Sequence, residues 1–204
     1  MVTSQEALDL INIGKGYLKK EDYDSAIVNF EMAKKLEPKC LEVYKCLAIV
    51  YAKKEDLDLA IKNYKKVLEY TPQDYKVLAC LGDLYTKKKK FKEALTYLNK
   101  SLSINPNNVV IHYYMGNYRL KTGDYDCAIE SYKKARSMGS RSAKLYYGLG
   151  VAYKSKGEFG LCANCMKIVL EQDPNNTKAL TIYKKVANLS GVMKKFNNAY
   201  KEIY

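Results

Sequence analysis

Four prolines, one histidine and no long apolar run are what this 204-residue chain has least of. A single imidazole, His112, leaves little material for histidine acid–base chemistry or a histidine-rich metal centre. No stretch approaches the roughly 18 apolar residues of a membrane span. Met1–Glu6 shows no basic region leading into an apolar one, so no secretory leader is visible. Gly-rich phosphate loops, His-Glu-x-x-His and Gly-x-Ser-x-Gly patterns are missing too. These absences argue against enzymatic activity, and no cofactor or metal site is expected. Six cysteines without a leader point to free thiols in a reducing, cytoplasmic setting. Cys162 and Cys165 form a Cys-x-x-Cys inside a predicted helix, with no second pair to complete a zinc site, and read as small packing residues.

What is present is a period. Pro38, Pro72, Pro106 and Pro174 lie 34, 34 and 68 residues apart, a register that unrelated loops would not keep. With Ala7 as position 1, Leu10, Ile13, Gly14 and Tyr17 fall at positions 4, 7, 8 and 11. Ala26, Phe30, Ala33 and Pro38 fall at 20, 24, 27 and 32. Each 34-residue repeat therefore predicts two amphipathic helices, A and B, joined by a tight turn. Asp22, Asp56 and Asp124 at position 16 suit the start of helix B. Asp74, Asn108, Ser142 and Asn176 at position 34 suit the next helix A. Thr3 and Glu6 have capping-box spacing for the first helix. Small residues at positions 8 and 20 predict a close A–B crossing.

The pattern resembles the tetratricopeptide repeat family. The resemblance implies an all-α, right-handed α-solenoid of stacked antiparallel helix pairs. A lead-in over 1–6 precedes five repeats over 7–176, at 7–40, 41–74, 75–108, 109–142 and 143–176. A degenerate or truncated sixth repeat occupies 177–204, with Lys184 at the small position and Lys195, Phe196 and Ala199 resembling the start of a helix B. The chain stopping at Tyr204 fits either a clipped terminal cap or the N-terminal part of something longer. The fourth repeat is irregular. His112 takes packing position 4, Arg119 replaces the position-11 tyrosine with Asp126 or Glu130 as candidate partners, and Ser140 replaces proline beside Gly139, a ready left-handed cap.

The resemblance also implies a non-catalytic interaction scaffold or adaptor within a multiprotein complex. Positions 2, 5, 6, 9, 12 and 13 of helix A should face a concave groove. Its candidate contacts are Asn12, Lys45, Lys76, Tyr113, Tyr114, Asn117, Lys144, Tyr147 and Lys178, over a floor including Ile11, Cys46, Ile49, Ala79, Cys80 and Val151. Such a groove suits a peptide or helix with apolar and acidic residues. Tyr113, Tyr114 and Tyr147 either anchor that partner or cover the inner surface by packing on one another. The family's carboxylate clamp for chaperone tails is not matched, since its best window reads Tyr113, Asn117, Gly148, Lys178 and Ile182.

The net charge of +13 attracts acidic partners of any kind. Polyanion binding, to RNA or an anionic membrane, is therefore the alternative function. No recognised RNA-binding motif occurs, so nucleic acid is the less expected partner, and self-association is a further option. Lys19, Lys20, Lys53, Lys54 and the run Lys87–Lys90 lie near helix A ends, where positive charge complements the helix dipole. The lysines at position 2 have no such excuse.

Overall fold

The structure, a computed structural model, describes residues 4–189. Among them are eleven α-helices and no strand, and the chain divides after Asn105 into two compact halves. The first half contains α1 (Gln5–Lys19), α2 (Tyr23–Leu36), α3 (Leu41–Lys53), α4 (Leu57–Tyr70), α5 (Tyr75–Lys87) and α6 (Phe91–Ile104). The second contains α7 (Val109–Thr122), α8 (Tyr125–Ser137), α9 (Ala143–Ser155), α10 (Phe159–Gln172) and α11 (Thr177–Leu189). Within each half every odd helix packs on the even helix after it, and each pair on the next, as in a tetratricopeptide solenoid. Lys195, Phe196 and Ala199 lie outside the described residues.

Local chemistry sets these boundaries. Asp22, Asp56 and Asp124 accept the backbone N–H groups of Ser25, Leu59 and Cys127, closing the first turns of α2, α4 and α8. Asp74, Asn108, Ser142 and Asn176 cap α5, α7, α9 and α11 in the same way. At α1 the cap is Ser4, whose hydroxyl accepts from the Ala7 N–H; Thr3 lies outside the described residues. Each A–B turn passes through a left-handed residue at position 15. Glu21, Glu55 and Lys89 stand there at φ near 60°, and Gly123 and Gly157 at 86° and 78°. Gly139 is left-handed as well, at φ 100°.

Helices A and B approach so closely that position 8 holds glycine or, as Ala48 in the second repeat, alanine. A Cβ on Gly14 would sit 2.6 Å from the Phe30 ring, and one on Gly116 2.6 Å from the Tyr132 ring. Phe30 and Tyr132, both at position 24, are fully buried in the cores of their respective halves. Position 3 joins each core from the second repeat onward, through Val43, Val77, Ile111, Leu145 and Ala179. In α1 the same position is the exposed Asp9.

Lysines at position 14 reach back to aspartates at position 18 of the preceding repeat. Lys54 pairs with Asp24, Lys88 with Asp58, and Lys156 with Asp126 at 2.5 Å. The aspartates are exposed, so each pair contributes little by itself. This pairing also corrects the expectation for Arg119. Its guanidinium donates instead to the Cys127 carbonyl at 3.1 Å and the Ser131 hydroxyl at 2.8 Å, so the half-buried charge is met by neutral acceptors. All six cysteines are free thiols. Burial pushes Cys46 and Cys165 up to about 11 and raises Cys162, so these thiols stay protonated.

His112 is a packing residue with a defined task. Its Nε2–H donates to the Pro106 carbonyl at 2.8 Å, as the Tyr44 hydroxyl donates to the Pro38 carbonyl at 2.8 Å. Both side chains stand at position 4 and satisfy the carbonyl of a position-32 proline. Burial lowers the His112 pKa, opposed by the Pro106 hydrogen bond and assisted by Lys134 and Arg119.

Thermal melting of three variants tests these contacts. A Cβ on Gly16, in the body of α1, meets nothing within 4 Å. Gly16→Ala should therefore stabilise by about 0.5–1 kcal/mol, whereas Gly14→Ala should destabilise by about 1–3 kcal/mol through overpacking against Phe30. The lowered pKa of His112 means that its contribution is complete above the unfolded value, about 6.5. That contribution is lost as the pH falls through the folded value. His112→Tyr, which can repeat the Tyr44 hydrogen bond, should remove this part of the melting-temperature fall between pH 7 and pH 5 (roughly the imidazole range).

Candidate functional site

The position-2 and position-5 residues of helix A are placed by the same caps that start those helices. In the second half Asn176 caps α11, its Oδ1 accepting from the Ala179 N–H at 3.0 Å, while its amide donates to Asp173 at 3.0 Å. This turn closes one end of a cleft of about 370 Å³. Tyr113 of α7, Lys144 and Tyr147 of α9, and Lys178 of α11 line it, together with Ala143, Val169, Asp173 and Asn176. Four of the nine residues expected to contact a partner thus meet in one cavity. Its tyrosine rings are half-buried, and Lys144 and Lys178 are exposed. Two cations against one carboxylate leave the cleft net positive, and Asp173 already receives the Asn176 amide.

Tyr114 and Asn117 do not line this cleft, and their surroundings give the reason. The Tyr114 ring lies 5.5 Å from that of Tyr113 and tilted to it. Asn117 uses its carbonyl oxygen to accept the Tyr132 hydroxyl at 2.8 Å, so it serves the core. Tyr113 leans on the same core, its ring 6.1 Å from that of Tyr132. Tyr132 reaches this far because position 6 of the next repeat is Gly148, where a Cβ would come within 2.7 Å of the ring and of the hydroxyl. Tyr113 and Tyr147 therefore pack partly against the core while presenting an edge to the cleft. The reading of these rings as inner cover therefore holds in part.

In the first half Lys45 and Lys76 line a second and wider cleft, of about 740 Å³, with Thr71, Pro72, Gln73, Asp74 and Tyr75. Here the lysine at position 5 is engaged, with Lys45 Nζ 2.7 Å from Asp74. Burial raises the Asp74 carboxyl, but the Lys45 hydrogen bond and the Val77 and Lys76 N–H groups outweigh it and hold its pKa below the ordinary value. Asn12 is exposed on α1 and lines neither cleft. The expected floor is partly wrong. Ile11 and Cys46 are buried where α1 meets α3, and Ala79 is buried in α5. Ile49 is exposed, and Cys80 and Val151 are half-buried. Val169 and Asp173 were not expected in the cleft; both come from the helix B side, which helix A spacing does not report.

A family model described as the TT21 fifth ARM repeats domain matches residues 42–147, more than half of the chain, and a tetratricopeptide repeat model matches residues 143–176. A comparison with curated protein sequences gives no match. Among solved structures, TTC0263, a thermophilic TPR protein of Thermus thermophilus, is 22% identical with a TM-score of 0.77, over 88% of this chain and 98% of that one. PilW, a type IV pilus biogenesis factor, is 18% identical with a TM-score of 0.79, over 92% and 87%. A chain of the APC/C hetero-tetramer Cut9–Hcn1 is 18% identical with a TM-score of 0.84, over 89% of this chain and 36% of that one. At these identities the structures speak for the fold alone. Their likeness agrees with the stacked helix pairs and the family matches: the chain belongs to the tetratricopeptide repeat family and, over residues 42–147, to the TT21 fifth ARM repeats group.

Proposed function

We propose that the chain is a non-catalytic scaffold, acting in the cytoplasm as an adaptor, that seats a peptide or helix segment in the cleft formed by α7, α9 and α11. The fold itself is one whose members serve protein–protein interaction. The observation that carries the finer reading is the meeting of Tyr113, Tyr147, Lys144 and Lys178 around one opening of about 370 Å³. Two half-buried rings give an apolar contact surface with little conformational freedom to lose. Two exposed ammonium groups select for acidic residues beside the apolar anchor. A ligand with only one of these features would leave part of the cleft unmatched. No described helix is long and apolar enough to cross a membrane.

Screening a random peptide library on the intact chain should select sequences that pair an apolar side chain with nearby Asp or Glu. Charge reversal by Lys144→Glu with Lys178→Glu leaves the core untouched and should weaken those peptides about tenfold or more. Tyr147→Ala should cost about 2 kcal/mol of binding. Peptides that carry no acidic preference, or that bind the double variant equally well, would refute this site.

A further inference from the structure

The A–B turns of the first half carry nearly the same sequence twice and then break from it. Lys19-Lys20-Glu21-Asp22-Tyr23-Asp24 is followed, one period later, by Lys53-Lys54-Glu55-Asp56-Leu57-Asp58. The third turn reads Lys87-Lys88-Lys89-Lys90-Phe91-Lys92, so three acidic positions have become lysine. Helix-dipole compensation explains Lys87 and Lys88, which end α5 and pair with Asp83 and Asp58. It does not explain the other three. Lys89 stands at φ 59°, as Glu21 and Glu55 do at 61° and 64°, so at this position only the charge has changed. Lys90 occupies the N-cap of α6 and makes no side-chain cap hydrogen bond, where Asp22 and Asp56 make one. Lys92 puts a positive charge in the first turn of α6, against the dipole, with the exposed Glu93 as the one acidic residue of that turn. All three are exposed and form no ion pair among the described residues, although Lys90, after Lys88, helps to lower the Asp58 pKa. The cap and the dipole thus disfavour Lys90 and Lys92, and disagreement of this kind concentrates at functional positions.

We infer that the α5–α6 turn is a docking point for a short acidic protein segment, separate from the tyrosine-lined cleft. The patch is narrow. Lys88 reaches Asp58, so the acidic α3–α4 turn with Glu55, Asp56 and Asp58 lies directly beside it. A long polyanion or a flat anionic membrane laid across the turns would meet those carboxylates, whereas a run of a few Asp or Glu residues fits within one turn. Nucleic acid finds little else here. Phe91 is half-buried, no arginine fork is present, and the turn offers no exposed ring for base stacking.

The test uses the intact chain and fluorescein-labelled hexaglutamate, read by anisotropy at about 50 mM salt, where surface charge is weakly screened. Hexaglutamine, an oligouridylate and phosphatidylserine vesicles serve as comparisons. Lys89→Glu, Lys90→Asp and Lys92→Asp together rewrite the turn as the first two repeats have it, so the fold should be kept and its melting temperature should not fall. Hexaglutamate should bind the unaltered chain over hexaglutamine, and the triple variant should weaken it about tenfold or more. Should that variant not fold, Lys89→Gly with Lys92→Gln removes two charges and should still weaken binding severalfold. Equal binding of hexaglutamate and hexaglutamine, or undiminished binding by the folded variant, overturns the inference. It is equally overturned if the oligouridylate or the vesicles, and not hexaglutamate, depend on these lysines.

Discussion

The fold depends on one contact made repeatedly: a large side chain at position 24 of helix B against a helix A that has no Cβ, or only a small one, at position 8. Phe30 meets Gly14, Leu98 meets Gly82, Tyr132 meets Gly116, and Met166 meets Gly150. Helices this close exclude water from the pair and leave each pair flat enough to stack on the next. No repeat buries its apolar faces alone, so the pair contact and the stack stabilise each other.

The cleft inherits its form from an extended version of that contact. Tyr132 fills the space over Gly116, then passes Gly148 to place its hydroxyl on Asn117. The same ring backs Tyr113, which forms one wall of the cleft. A packing choice in the fourth repeat therefore sets the surface offered to a partner. The charged rim is independent of it, because Lys144 and Lys178 are set by the caps Ser142 and Asn176.

Helix pairing and capping were legible because backbone hydrogen bonding is local: an aspartate at position 16 acts within three residues of itself. Position 8 was legible for a similar reason, since its partner lies in the adjoining helix at a constant offset. The cleft was legible only in part. Tyr113, Tyr147, Lys144 and Lys178 share a face that helical spacing reports, but which of them meet depends on contacts between repeats. Ile11 and Cys46 have groove-facing spacing and are nonetheless buried, because the approach of α1 to α3 is not encoded in either helix alone. Arg119 shows the same limit. Two carboxylates lay within plausible reach, yet the guanidinium settles on a carbonyl and a hydroxyl.

The extension of the position-24 contact over Gly148, which shapes the second half and its cleft, is measured most directly by a double-mutant cycle joining Gly148→Ala and Tyr132→Leu, read by denaturant unfolding. With Tyr132 in place, the added methyl meets the ring and should cost about 1–3 kcal/mol. With leucine at 132 the ring is gone, and most of that cost should vanish, giving a coupling of about 1 kcal/mol or more. An equal cost in both backgrounds would contradict the claim that this ring, lodged against glycine, shapes the second half and its cleft.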